Sequence, residues 1–332
     1  MGDSDIVVIA NAGPDVGLGH LVRCLALTAA IESRGCQVDL WIPEHAGAEK
    51  FAKGGIEPRM VPRKGELLTR MVEKASPGVV VVDSYDIDED TIASLSGVSS
   101  IAVLDELGDR CLPVDLVVNN NAYADDIEYP SAGQVLRGPE YCMLRESFRK
   151  VPQPEPVEAT TVLVTIGGAD LQNSFGDLIR TVAESVPNRV SLVAVVGPYF
   201  EVPDDIRELA TFYITPDSMP QLMSSADFAV SGGGQTMYEL AACGTPPASV
   251  CLAADQVRNI DALSDRDFCI PVGSPTERGF EENLAEAVEK LATDDELRVR
   301  MARIGRRLVD GYGADRVGTE VVRVGKPESS RI

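Results

Sequence analysis

Short runs of Val, Ile and Leu alternate with stretches of helical apolar spacing from one end of the chain to the other. "DIVVIA" (5–10) predicts a strand. "HLVRCLALTAAIESRG" carries apolar positions at Leu21, Cys24, Leu25, Leu27, Thr28 and Ile31 and stops at Gly35. That pattern predicts a buried helix closed by a glycine C-cap. "QVDLWI", "GVVVVDS", "SIAVLD" and "DLVVNN" predict further strands, with helices from "ELLTRMVEKA" and "DEDTIASL" between them. This βαβ rhythm implies a parallel sheet covered on both faces. Residues 151–161, "VPQPEPVEATT", break the rhythm with prolines and glutamates and no apolar period, and predict an extended linker.

A second series follows: "TVLVTIGG", "NSFGDLIRTVAESV", "RVSLVAVVG", "DDIREL", "TFYITP", "MPQLMSSA", "DFAVSGG", "QTMYELAACG" and "PPASVCL". Two long helical patterns, "EENLAEAVEKLATD" and "DELRVRMARIGRRLV", close the chain. The expectation is two α/β domains, 1–150 and 162–332, with the last helix packing back on the first. Proteins so built hold ligands in the cleft between domains, at the carboxyl ends of strands.

Composition narrows the partners. The 332 residues carry 52 acidic and 30 basic side chains, a formal net charge of −22, which argues against a nucleic-acid partner. Arg supplies 23 of the basic residues and Lys 7, a balance that fits a salt-adapted or GC-rich source. Any anionic ligand must therefore be held by local dipoles and a few arginines, against the overall field. "VSLVAVVG" and "GVVVVD" fall far short of the roughly 20 apolar residues of a membrane span. "MGDSD" lacks the character of a signal peptide, so a cytoplasmic location is expected. Seven cysteines without a CxxC pair are expected as free thiols. His20 and His45 lack ligand-spaced partners, so no zinc site is expected, and no cofactor is expected either. No feature specifies an oligomeric state.

Four junctions between strands and helices are rich in glycine or short polar residues: Gly17-Leu18-Gly19-His20, Gly167-Gly168-Ala169-Asp170, Ser231-Gly232-Gly233-Gly234-Gln235-Thr236, and Asp255-Gln256. Exposed N–H groups and the helix dipole make such junctions anion sites. GxxxxGK[ST] is absent, and "GPDVGLGH" lacks the GxGxxG spacing. Glu239, three residues past Thr236, either accepts the hydroxyls of a ribose or complements the dipole. Asp83 and Tyr85 end a strand and reach a ligand or pack locally; Asp105 and Glu106 end the next strand with the same two readings. Asn119, Asn120, Asn121 and Tyr123 suit sugar hydroxyls or an ordinary turn. His20, at the positive end of a helix dipole, is either a neutral general base or a core histidine satisfied by a carbonyl.

Taken together, "VGLGHLVRCLALTAAI", "VVVVDSYDID", "VLDELGDR", "DLVVNNNAYADDIEY", "LRGPEYCMLRESF", "TIGGADLQNSF", "SGGGQTMYELAACGTPP" and "LAADQ" resemble, in this order, the nucleotide-sugar hydrolases of the pseudaminic-acid pathway and the related spore-coat polysaccharide proteins. The resemblance spans about residues 20–260. It implies a GT-B glycosyltransferase-like fold of two Rossmann-like domains facing across a cleft. It also implies hydrolysis of a UDP-linked 2,4-diacetamido-2,4,6-trideoxy sugar, with no metal. UDP would sit on the second domain and the sugar on the first.

Carried over by motif, the catalytic positions are His20, Asp83 and Tyr85. On the first domain the substrate positions are Gly17, Gly19, Arg23, Asn121, Tyr123, Tyr141 and Arg145, with Gly138 and Phe148 in the same motif as the last two. On the second they are Gly167, Gly168, Asp170, Asn173, Ile214, Gly232, Gly233, Gly234, Gln235, Thr236, Glu239, Asp255 and Gln256. Ile9 and Asn11 stand where the family has Arg-x-Asp, and Asp255 where it has Asn. Three functions are compatible with this pattern: hydrolase with His20 as base, GT-B glycosyltransferase, or non-catalytic nucleotide-sugar binding protein.

Overall fold

The computed structural model describes residues 5–11, 19–43, 59–149, 151, 159–166, 174–197, 202–214, 216 and 218–325. Two compact units divide the chain, Met1–Glu146 with Gly311–Ile332, and Ser147–Asp310. Residues 152–158 of the expected linker lie outside the described residues.

The first unit contains β1 (Ile6–Ala10), α1 (Gly19–Glu32), β2 (Val38–Pro43), β3 (Arg59–Val61), α2 (Glu66–Ala75), β4 (Val79–Asp83), α3 (Glu89–Ser96), β5 (Ser100–Leu104), β6 (Leu116–Asn119) and β7 (Gln134–Arg137). Its sheet runs β3-β2-β1-β4-β5-β6-β7, with every pairing parallel. Val79, Val80, Val81 and Val82 are all buried, because β4 lies in the middle of a sheet with both faces covered. Each such side chain contributes about 1.5–3 kcal/mol on leaving water. Leu21, Cys24, Leu27 and Ile31 form the stripe by which α1 joins the unit's apolar core. Past its end, Gly35 adopts φ +83 and donates to the Glu32 carbonyl at 2.9 Å. β3 and β7, which the sequence pattern did not indicate, are short edge strands and only partly buried.

In the second unit β8 (Thr161–Thr165), α4 (Phe175–Ser185), β9 (Ser191–Val196), β10 (Thr211–Ile214), α5 (Met219–Ser225), β11 (Phe228–Gly232), α6 (Thr236–Cys243), β12 (Pro247–Val250), α7 (Val257–Ser264), β13 (Ile270–Gly273), α8 (Phe280–Thr293) and α9 (Asp295–Leu308) follow one another. The sheet order is β10-β9-β8-β11-β12-β13, again parallel throughout. "DDIREL" forms turns and not a helix; Ile206 is its one buried anchor, too little for an apolar stripe. In both sheets the winding direction reverses once, between β1 and β4 and between β8 and β11. At such a reversal the loops leave in opposite directions and open a crevice at the carboxyl ends of the strands.

A third C-terminal helix, α10 (Gly313–Val324), belongs to the first unit and packs on α1. Its glycines interrupt the stripe of Ala314, Val317, Val321 and Val324 by which it docks. A Cβ at Gly313 would run into the Cys142 backbone, and one at Gly318 would lie 3.5 Å from Ala30 and Ile31. Arg34 clamps the contact, donating to the Asp315 carbonyl at 2.8 Å and to Thr319 Oγ1 at 3.0 Å. Among the described residues no helix is long and apolar enough to cross a membrane. All seven cysteines are free thiols.

Candidate active site

At the first reversal α1 starts beside the end of β4. His20, Arg23 and Cys24 stand at helical spacings of three and four, hence on one face of α1. All three meet the last residue of β4, Asp83, which is fully buried. His20 Nδ1 lies 2.6 Å from Asp83 Oδ1. Arg23 binds the same carboxylate side-on, Nη2 to Oδ1 at 2.5 Å and Nε to Oδ2 at 2.6 Å. Cys24 Sγ donates to Oδ2 at 3.3 Å. An ionised carboxylate only accepts, so a proton on Nδ1 satisfies this contact, and in that tautomer of the neutral ring Nε2 keeps its lone pair. The His20 side chain is buried and retains 9% exposure.

Burial alone would raise the Asp83 carboxyl, but the charges and hydrogen bonds of Arg23 and His20 outweigh it and hold it well below the usual carboxylate range. Burial likewise works against the Arg23 cation, which Asp83 and Glu106 keep charged. Burial, with the Asp83 charge behind it, pushes the Cys24 thiol up, so it remains a protonated donor.

Glu106, just past β5, completes the cluster. Its carboxylate accepts from Arg23 Nη1 and from the Tyr85 hydroxyl. The Tyr85 ring stands edge-on to the imidazole, centroids 4.9 Å apart at 90°. Burial first, then the Glu106 charge, push the Tyr85 phenol far above its ordinary range. Tyr85 is therefore a neutral side chain whose oxygen can accept from a ligand. The Glu106 carbonyl accepts from Tyr123 Oη at 2.9 Å.

These contacts change several roles expected from sequence. Asp83 does not position sugar or water: it is sealed from solvent and both its oxygens are engaged. Arg23, 4% exposed and held by two carboxylates, is not a substrate cation. Tyr123 is buried with its hydroxyl on the Glu106 carbonyl, and the Asn121 backbone N–H donates to Asn119 Oδ1 at 3.0 Å. The Tyr141 ring packs against the apolar core of the unit, while Arg145 is exposed. Gly19 opens α1 with nothing within 4 Å of a Cβ position. Gly17, like Gly167, Gly168, Asp170 and Asn173, lies outside the described residues. Glu106 is the contributor that sequence reasoning left among undecided strand ends.

At the second reversal β11 runs into α6 through Gly232, Gly233, Gly234 and Gln235, with Thr236 opening the helix and Glu239 half-buried in its first turn. Two side chains flanking the start of the α7 segment pin this loop. Gln256 Oε1 accepts from Gly233 N at 3.1 Å and from Leu252 N at 3.1 Å. Asn259 Nδ2 donates to the Gly233 carbonyl at 2.7 Å. The Gly233 N–H is thus taken by the protein and is not the anion donor expected of it, and the Gln256 carbonyl is a support. Asn259 was missed, though a polar residue one helical turn beyond Gln256 was a readable signal.

A Cβ at Gly233 would come within 2.6 Å of Ile260 and 3.0 Å of Gln256 Cβ, whereas one at Gly234 would meet only Gln256 Nε2, at 3.8 Å. Ile214, 57% exposed, ends β10, and Asp255 is exposed ahead of α7. Among the described residues no group of three or more His, Cys, Asp or Glu side chains is placed to hold a metal ion.

Two parallel-sheet α/β units with these reversals define the fold class of GT-B glycosyltransferases. The chain is similar along nearly its whole length to the calicheamicin glycosyltransferase CalG4 (TM-score 0.62, 16% identity, 97% of this chain and 98% of that one). The glycotransferase of kitacinnamycin is similar to the same degree (TM-score 0.66, 16% identity, 96% and 98%). No protein-family model matches the chain. Among curated proteins it is similar to the spore coat polysaccharide biosynthesis protein SpsG of Bacillus subtilis, 22% identical over 93% of this chain and 95% of the relative. It is also similar to the pseudaminic acid cytidylyltransferase and UDP-2,4-diacetamido-2,4,6-trideoxy-beta-L-altropyranose hydrolase of Helicobacter pylori, 22% identical over 73% of this chain. The matched part is 43% of that longer protein.

Proposed function

We propose that the protein is an enzyme acting on nucleotide sugars in polysaccharide biosynthesis, and that its reaction is hydrolysis of a UDP-linked diacetamido-trideoxy sugar. The observation that carries the reading is the 2.6 Å contact of His20 Nδ1 with the buried Asp83 carboxylate. It leaves Nε2 as a base whose conjugate acid the carboxylate stabilises. In the proposed reaction water attacks the anomeric carbon while Nε2 takes its proton. The bond from that carbon to the phosphate oxygen breaks, and UDP leaves with the electron pair. A single displacement inverts the anomeric centre.

The second unit supports nucleotide binding. The N-terminus of α6 carries partial positive charge where a leaving diphosphate gains negative charge, and Glu239 lies within a turn of it as a ribose acceptor. Gly234 has neither a strained backbone nor a crowded Cβ position, which suits the close approach of a ligand.

The test is a panel of nucleotide sugars assayed for free UDP, with wild type and His20→Ala. Wild type is expected to release UDP from a diacetamido sugar donor, and the variant to lose turnover; near wild-type turnover in the variant removes His20 from the reaction. The fold shared with glycosyltransferases supports a second reading, transfer to an acceptor hydroxyl in place of water. Release of UDP from donor alone favours hydrolysis, and release only with an acceptor favours transfer.

A further inference from the structure

A second carboxylate stands behind the His20–Asp83 pair, and the chemistry just described does not use it. Arg23 touches Asp83 through Nε and Nη2, but Nη2 also lies 3.0 Å from His20 Nδ1. Nδ1 therefore has two competing partners. As a donor to Asp83 it leaves Nε2 free. As an acceptor from Arg23 it forces the proton onto Nε2, which then cannot act as a base. Asp83 alone does not decide between them, because its Oδ1 is shared by the imidazole and the guanidinium.

What breaks the tie is the other end of Arg23. The guanidinium is a rigid planar fork already set by its two contacts with Asp83, so what the far end changes is how strongly its charge competes for Nδ1. Glu106 pairs with Nη1 and supplies part of the counter-charge. Its second oxygen takes the Tyr85 hydroxyl, which sets the ring edge-on to the imidazole. Its carbonyl is held by Tyr123.

We propose that Glu106 is the positioning residue of this site: by pairing with Arg23 Nη1 it offsets the guanidinium charge beside His20 Nδ1, by accepting from Tyr85 Oη it fixes the ring against the imidazole, and so it favours the imidazole form with a free Nε2. The kinetic consequence rests on the function proposed above; the effect on the imidazole does not.

The experiment is 15N-histidine NMR of the unliganded full chain at about pH 8, above the ordinary imidazole range, beside steady-state kinetics. The chain has only two histidines, which keeps the spectra assignable. Wild-type His20 is expected to show a protonated Nδ1 and an unprotonated Nε2. In Glu106→Gln, near-isosteric but uncharged, the two nitrogen signals are expected to converge or exchange. With substrate, kcat is expected to fall about 10- to 100-fold with KM nearly unchanged, and Glu106→Asp to recover most of it.

A wild-type nitrogen pattern in Glu106→Gln overturns the proposal. Should that variant not fold, Glu106→Ala carries the test: an exchanged pattern is expected, and a wild-type one overturns the proposal. A changed pattern in Glu106→Gln, in a protein that turns over no nucleotide sugar, sustains the positioning role and removes the function. Turnover with an unchanged pattern removes the positioning role alone.

Discussion

Asp83→Asn is the most informative single change, because the structure fixes what every atom of the new amide must face. The carboxylate oxygens receive His20 Nδ1, Arg23 Nη2, Arg23 Nε and Cys24 Sγ. If the NH2 takes the place of Oδ1 it opposes Arg23 Nη2, and His20 must move its proton to Nε2. If it takes the place of Oδ2 it opposes Arg23 Nε. In either rotamer an Arg23 donor faces another donor in a site closed to water. Removing one partner of a buried ion pair costs about 3–5 kcal/mol. Because Glu106 still neutralises part of the Arg23 charge, the lower end, about 3 kcal/mol, is expected. At about 2–4 °C per kcal/mol for a unit of this size, the melting transition of the first unit should fall by roughly 6–12 °C. Loss of the oriented base should reduce kcat by about 10²–10⁴, and UDP release measured well below the lowered transition separates that loss from unfolding. A folded variant retaining kcat within about tenfold of wild type would refute the reasoning that Asp83 orients His20.

The same carboxylate makes stability depend on pH. Its depressed folded-state titration contributes stability that is present above the unfolded carboxylate range of about 4 and lost as pH falls below it. Acid unfolding followed by circular dichroism should therefore be steeper for wild type than for Asp83→Asn; parallel curves would show that Asp83 is not linked to folding. Gly233→Ala should destabilise the second unit by about 1–3 kcal/mol through overlap with Ile260 and Gln256. Gly234→Ala should leave denaturation unchanged yet weaken UDP binding by calorimetry, and undiminished affinity would contradict a nucleotide seated against that loop. Gly313→Ala drives a methyl into the Cys142 backbone and should lower the denaturation midpoint of the first unit; an unchanged midpoint would mean that the α10 contact adapts at little cost. Tyr85→Phe keeps the ring beside His20 but removes one bond to Glu106, so its effect should appear in turnover and leave thermal stability within about 1 kcal/mol of wild type.

The elements and their order were legible in the sequence because their causes are local. Val79 to Val82 read as a central parallel strand since no polar residue interrupts them, and α1 reads as a helix from the spacing of Leu21, Cys24, Leu27 and Ile31. The glycine-rich junctions at His20 and at Gly232 to Gly234 are local signals too, and the structure puts both at winding reversals. β3, β7 and α10 escaped for the opposite reason. Edge strands are only half covered, and the apolar stripe of α10, Ala314, Val317, Val321 and Val324, is made of small residues and interrupted by Gly313 and Gly318, so its docking shows only in the fold.

Sequence alone determined which side chains were available for chemistry, and the spacing of His20, Arg23 and Cys24 already placed three of them on one helix face. It did not determine what they face. Asp83, Asp105 and Glu106 are all acidic residues at strand ends and look alike as letters. In the fold Asp105 accepts from Arg110, Gly108 and Tyr129 and braces a loop, whereas Glu106 reaches Arg23 and Tyr85, and Asp83 reaches His20. Those last two partnerships join residues 63 and 83 positions apart for His20–Asp83 and Arg23–Glu106. Sheet order decides them, because only the pairing of β1, β4 and β5 brings their ends side by side, and a carboxylate takes its role from the donor it meets there.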